Sequence, residues 1–226
     1  MDLENHYHTL WKKSLQRFNT GDFEYDAMID ADHDPRYGIT LIARPSEAVT
    51  QSITHTLSQL TETAPQQYAY PAGDLHLTVL SIISCYPGFS LGDIQPEQYT
   101  NIIRSAVDTI DPFHIHFRGL TASPSSILVQ GFPEDDQLNQ LRDRLRDQFK
   151  ASSLQHSIDK RYRLETAHMT ILRFKQPLQE EQVFIDRLTK LKDIDFGSCR
   201  VDQLSLVAND WYQRQQKVQL IEKFDL

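Results

Sequence analysis

Cysteine is scarce in this 226-residue chain, with only Cys85 and Cys199 present. Two isolated thiols cannot build a disulfide framework, and neither belongs to a C-x-x-C pair of the metal-binding type. They suit a reducing compartment, and the cytoplasm is expected. Long apolar runs are missing too: no stretch approaches the ~18 residues of a bilayer span, so no membrane partner is expected. The first residues, Met-Asp-Leu-Glu-Asn-His, are acidic and polar where a secretory signal would be basic and then apolar. With 8 Gly and 10 Pro, and 39% apolar against 24% charged residues, the composition is that of a folded domain. Positive charge is in deficit. The 31 acids against 23 Lys and Arg give a net charge of −8, whereas a protein of duplex nucleic acid presents a broad basic face. No G-x-G-x-x-G, P-loop or G-x-S-x-G motif occurs, so dinucleotide, nucleoside-triphosphate and serine-hydrolase chemistry lack support.

The charge is uneven. Residues 1–36 carry eight acids against Lys12, Lys13, Arg17 and Arg36. Residues 159–175 run the other way, with Lys160, Arg161, Arg163, Arg173 and Lys175 against Asp159 and Glu165. Such a basic segment in an acidic protein can serve a small anion, although a solvated charged face is the plainer reading.

Hydrophobic spacing supplies the elements. Leu3, Tyr7, Leu10, Trp11, Leu15 and Phe18 lie at helical intervals and predict an amphipathic N-terminal helix within an acidic extension, residues 1–36. From Gly38 a strand (39–44) stops at Pro45, and Ser46 caps a helix with Val49, Ile53, Leu57 and Leu60 inward. A strand at 75–83, a helix at 96–110 and a strand at 113–120 follow. The order then recurs: a strand at 127–132 stopped by Pro133, a helix with Leu138, Leu141, Leu145 and Phe149 inward, a strand at 167–174, a helix at 178–191, and a strand at 201–208, with a last strand at 217–224. Strand–helix–strand–helix–strand thus appears twice, a repeat of architecture rather than of sequence. The prediction is an α+β fold of two β-α-β-α-β lobes, formed mainly from 37–125 and 126–226 within one bilobal domain at 37–226.

The middle strand of each half carries the chemistry. One reads Leu75-His76-Leu77-Thr78-Val79-Leu80, the other Ala167-His168-Met169-Thr170-Ile171-Leu172. Alternation puts His76 with Thr78, and His168 with Thr170, on faces opposite to wholly apolar ones. If the halves are related by an approximate twofold, the polar faces meet across a cleft. Two imidazoles flanking one reacting group suit general acid–base catalysis, and two hydroxyls can donate to oxygens that gain charge. A phosphodiester fits that four-point layout. One H-x-[ST] would arise by chance; two H-x-T copies in matching strands carry much more weight.

These paired motifs in a duplicated layout resemble the 2H phosphoesterase superfamily, which includes 2′-5′ RNA ligase-like proteins and cyclic nucleotide phosphodiesterases. The resemblance runs from about Gly38 to the C-terminus. It implies antiparallel sheets lining a central groove and metal-independent hydrolysis of cyclic phosphates or 2′-5′ linkages, with His76 and His168 as acid and base. It implies no cofactor and a small phosphorylated or nucleotide substrate; a monomer is expected. Residues 1–36 lie outside the usual core and would cap one lobe or narrow the cleft.

Tyr70, just ahead of the first motif, and Trp211, in the turn before the last strand, are candidates to line the cleft or stack on a base. Arg163 could neutralise a phosphate, whereas strict alternation turns Arg173 away from His168 and Thr170. His114 and His116 share a strand face at a spacing known from zinc sites, but no third ligand accompanies them and no metal is expected. Three other classes compete with the phosphodiesterase: a non-catalytic nucleotide- or phosphate-binding module using Thr78 and Thr170, an acid–base isomerase of a sugar, and an interaction platform.

Overall fold

The computed structural model describes residues 2–226. Helix α1 (Leu3–Phe18) starts at Asp2, whose carboxylate accepts the Asn5 N–H at 3.1 Å. Its buried positions Tyr7, Trp11, Ser14 and Phe18 lie on one helical face. Strand β1 (Arg36–Ala43) is followed by α2 (Glu47–Thr61), capped by the Ser46 hydroxyl. Then come β2 (Tyr68–Ala69), β3 (Leu77–Pro87), α3 (Pro96–Val107) and β4 (Phe113–Ser123). The second half contains β5 (Ser126–Pro133), α4 (Gln137–Ala151), β6 (Met169–Arg173) and α5 (Glu181–Lys190). It ends with β7 (Asp195–Val201), β8 (Gln203–Asp210) and β9 (Gln219–Asp225). Two of these elements escape sequence reading. β2 is two residues long, and β7 has its apolar alternation interrupted at Gly197, which adopts φ +90°.

The strands form two sheets in the orders β3-β1-β8-β9 and β2-β6-β5-β4-β7, every pair antiparallel. The duplication is visible here: β1 and β3 correspond to β5 and β6. The third strand of each half, however, crosses to the other half's sheet, β8 beside β1 and β4 beside β5. Residues 37–125 and 126–226 therefore do not form separate lobes. The crossing strand pairs an edge of β1 and of β5 that each half would otherwise leave open. The helices follow the same exchange, α2 packing on β6 and β7 while α4 packs on β3.

Helix α1 belongs with the second sheet, whereas the end of the extension crosses to the first, where Arg36 opens β1 and Asp26 accepts the Tyr212 hydroxyl at 2.9 Å. Helix α1 packs on β4 and α5, and the Ser14 hydroxyl donates to the Ala122 carbonyl at 2.7 Å. The Tyr7 hydroxyl sits against Gly131 of β5, donating to its carbonyl at 3.2 Å. Gly131 is required for close approach: a Cβ there would stand 1.9 Å from the Ala167 carbonyl oxygen, immediately ahead of His168. No described helix is long and apolar enough to cross a membrane.

Candidate active site

Each motif strand carries a bulge just past its threonine. Between β1 and β3 the register steps from Leu41↔Leu80 to Ile42↔Thr78, leaving Val79 as an extra residue. Between β5 and β6 it steps from Ile127↔Leu172 to Leu128↔Thr170, leaving Ile171 extra. Val79 and Ile171 occupy the same place in the repeat, three residues after His76 and His168. An extra residue resets the two-residue alternation, so position +5 rejoins the face of the histidine and threonine. In the first strand that position is Ser81; in the second it is Arg173. Arg173 thus lines the cleft, which corrects the expectation from strict alternation. The sequence did hold a signal, the consecutive apolar pairs Val79-Leu80 and Ile171-Leu172 where a regular half-buried strand would alternate.

The cleft between the sheets, about 1000 Å³ with its open mouth, is lined by His76, Thr78, His168, Thr170 and Arg173 together with Tyr70 and Trp211. Both motif histidines lie one residue ahead of the strands that follow them. The His76 Nδ1 is 2.8 Å from the Asp74 carbonyl oxygen. A carbonyl only accepts, so Nδ1 carries the proton and the neutral ring presents Nε2 as its lone-pair nitrogen. The His168 Nδ1 is 2.7 Å from the Thr166 hydroxyl, which can donate to a neutral ring or accept from a protonated one. Among the described residues neither Nε2, and neither the Thr78 nor the Thr170 hydroxyl, hydrogen-bonds another protein group.

Burial in this cleft pushes both imidazoles down to about 4. For His76 the Asp74 carbonyl works against burial, while the Arg44, Arg173 and His168 charges add to it. For His168 the Arg142, Arg173 and His6 charges add to burial. Cys85 also lines the cleft, but burial raises its thiol to about 12, so it is no thiolate nucleophile near neutral pH.

The remaining candidates separate. Tyr70 is 4% exposed, and its hydroxyl accepts the Arg173 Nε–H at 2.9 Å; it holds Arg173 rather than offering a face to a base. Among the described residues no carboxylate pairs with Arg173, so its charge is free toward the cleft. Trp211 is at the cleft wall with the Arg36 and Arg161 guanidiniums 4.9 and 5.0 Å from its ring centroid. Arg163 is outside, bonded to Asp143 at 2.8 Å. His116 pairs with Asp195 at 2.8 Å, away from the cleft, and no cluster of three metal-type ligands occurs among the described residues.

Sequence reading missed a strap. Residues 152–168 have no regular structure and bring Ser157, Asp159, Arg161, Tyr162 and Leu164 to the cleft. Ser157 anchors it to β3, its N–H donating to the Ile82 carbonyl at 2.8 Å and its hydroxyl accepting the Ser84 N–H at 2.6 Å. Arg146 anchors it to α4 through Asp159 at 2.8 Å and the Leu164 carbonyl at 2.8 Å. Between those anchors Tyr162 is 68% exposed. The basic run of 159–175 is thus divided: Arg161 and Arg173 face the cleft, while Arg163 and Lys175 are tied to Asp143 and Asp30 outside it.

The model of the 2′-5′ RNA ligase superfamily matches residues 45–212 and takes in both H-x-T motifs. The chain belongs to that superfamily. Among solved structures, the Thermus thermophilus protein TT0787 is similar at 16% identity and TM-score 0.63, over 84% of this chain and 97% of that one. LigT of Escherichia coli, complexed with 3′-AMP, is similar at 14% identity and TM-score 0.55, over 84% and 98%. A conserved Agrobacterium tumefaciens protein of unknown function, ATU0111, is 18% identical with TM-score 0.54, over 88% and 94%. At these identities the solved structures show a shared fold. No curated protein sequence is significantly similar to the chain.

In this member of the 2′-5′ RNA ligase superfamily the two depressed imidazoles have a consequence for stability. A histidine whose folded value lies near 4 is protonated first in the unfolded chain, at about 6.5. The unfolded state then binds more protons, so stability falls as pH drops from about 6.5 to about 4, by at most ~3 kcal/mol per ring. Urea unfolding across pH 7 to 4 is expected to show this slope in the wild type. It should flatten in the double variant His76→Ala/His168→Ala, and equal slopes would refute the assignment.

Proposed function

We propose that the protein hydrolyses a 2′,3′-cyclic or 2′-5′-linked phosphodiester of a nucleotide without a metal, using His76 and His168 for proton transfer. The observation that carries this is the lining of the cleft: two imidazoles with unengaged Nε2 atoms, two unengaged threonine hydroxyls, and the guanidiniums of Arg161 and Arg173, neither with a carboxylate partner among the described residues. These unpaired cations favour an anionic substrate over a neutral sugar.

The two rings are held differently, and that separates their roles. His76, with Nδ1–H on a backbone carbonyl, has its Nε2 lone pair ready as general base for an attacking water. Its Asp74 contact also supports the imidazolium that forms. His168 faces a hydroxyl that tolerates either state of Nδ1, so it can enter the reaction protonated as general acid. Both rings are neutral in the free protein; the negative charge of a bound phosphodiester offsets desolvation and lets one ring take up a proton. The water oxygen then bonds to phosphorus as the cyclic P–O bond breaks. His76 takes the water proton and His168 gives its proton to the leaving oxygen. Thr78, Thr170 and Arg173 hold the non-bridging oxygens. The strap residues Arg161 and Tyr162 border the substrate's remainder, which suits a nucleotide better than a long duplex.

The test is a panel of four 2′,3′-cyclic nucleotides and short 2′-5′ dinucleotides, followed by phosphorus NMR. Conversion of a cyclic substrate to a single monophosphate isomer, without added metal and in the presence of chelator, is the expected result. Binding of those ligands with no turnover would replace this reading with the non-catalytic module.

A further inference from the structure

Behind both motifs lies one buried cation. Arg142 on α4 is 1% exposed, although the helical pattern puts the apolar positions Leu138, Leu141, Leu145 and Phe149 inward. Its Nε–H donates to the Val79 carbonyl at 2.8 Å. Its Nη2 donates to the Thr78 carbonyl at 3.0 Å and to the Thr166 carbonyl at 2.9 Å. Val79 is the extra residue of the first bulge, and Thr166 carries the hydroxyl against His168 Nδ1. Two of the acceptors lie in β3 of the first sheet and the third in the segment leading into β6 of the second, and a planar guanidinium presents its donors in a fixed fork. A buried cation bound to carbonyls alone is no cheap source of stability.

We propose that Arg142 is the positioning residue that sets the separation and orientation of the two imidazoles, one fork gripping the backbone behind both H-x-T motifs. Its kinetic consequence rests on the two-histidine reading above; its structural consequence does not. Arg44 plays a narrower part, donating to the Gly73 and Leu75 carbonyls at 2.9 Å, and so steadies only the approach to His76. Arg142 spans the backbone on both sides. It also bears on His168 electrostatically, beside Arg173 of the same strand and His6 of α1. Around Arg142 itself stand Arg146, Asp143 and Tyr7.

Two variants separate the fork from the charge. Arg142→Lys keeps the cation and loses the planar three-way grip; Arg142→Met loses both. On the cyclic nucleotide that the wild type turns over, Arg142→Lys is expected to lower kcat about 10–10²-fold with KM within about twofold, the signature of misplaced groups. The His168 ring proton, followed by NMR without substrate, should titrate in Arg142→Lys as in the wild type. In Arg142→Met it should titrate about one pH unit higher, since a neighbouring cation has gone. Unchanged kcat in a folded Arg142→Lys protein overturns the positioning role, as does a kcat loss matched by equal KM and melting changes alone. If Arg142→Met does not fold, Arg142→Lys decides. If the wild type turns over nothing on the panel, the proposed function fails, and a crystal structure of Arg142→Lys decides this inference: displaced imidazoles support it, and superposable ones overturn it.

Discussion

Alanine at either His76 or His168 is expected to lower kcat/KM on a cyclic nucleotide by about 10²–10⁴, the range for removal of one proton-transfer group. The double variant should lose little more than the worse single one, because residues acting as a unit are not additive. A difference between the two singles is also expected. With His76 gone, no lone-pair nitrogen is held in place for the attacking water. With His168 gone, the leaving oxygen departs without its proton, and a substrate with a more acidic leaving group should recover much of the lost rate. Measuring both variants on an ordinary and an activated diester separates acid from base. Equal recovery in both, or full rate in either, would sink the assignment. Folding can be checked independently, since the rings lie at the cleft rather than among the fully buried side chains.

The second large effect is expected at Arg173. Arg173→Met should weaken inorganic phosphate and raise KM or lower kcat/KM by about 10–10²-fold, as expected for loss of a charge-assisted contact to an anion. It should also relieve a cation that bears on both imidazoles, so the acidic limb of the pH–rate profile moves upward. Arg173→Lys, which keeps the charge but not the fork held by Tyr70, should recover part of the affinity. Tyr70→Phe tests the support alone: Arg173 loses its 2.9 Å acceptor while its charge stays. An Arg173→Met protein with wild-type phosphate affinity and an unmoved pH profile would remove this residue from the site.

Much of the site could be read before any coordinates. The H-x-T copies, the apolar character of their alternate positions and the matching order of elements identify His76, Thr78, His168 and Thr170, because strand alternation is local and hydrophobic patterning records it. Arg173 was misplaced for an equally local reason: alternation holds only until a bulge, and a bulge is a register event between two strands. Arg163, which looked equivalent by charge, is tied to Asp143 on the surface. Trp211 and Tyr70 both line the cleft, yet their surroundings are not legible in the sequence. Arg36 and Arg161 meet one ring, and Arg173 occupies the hydroxyl of the other.

Local sequence determined which segments are helix or strand, that the chain is duplicated, and which two strands carry imidazole and hydroxyl together. Those properties depend on neighbours within a few positions, where periodicity and capping act. The exchange of β4 and β8 between sheets, the packing of α1 on the second sheet, the strap over the cleft and the grip of Arg142 on both motifs were decided by tertiary structure alone. Each joins residues far apart in the chain: Arg142 finds carbonyls at positions 78, 79 and 166. Such a contact leaves no period in the sequence, because its geometry exists only once both sheets have closed on one another.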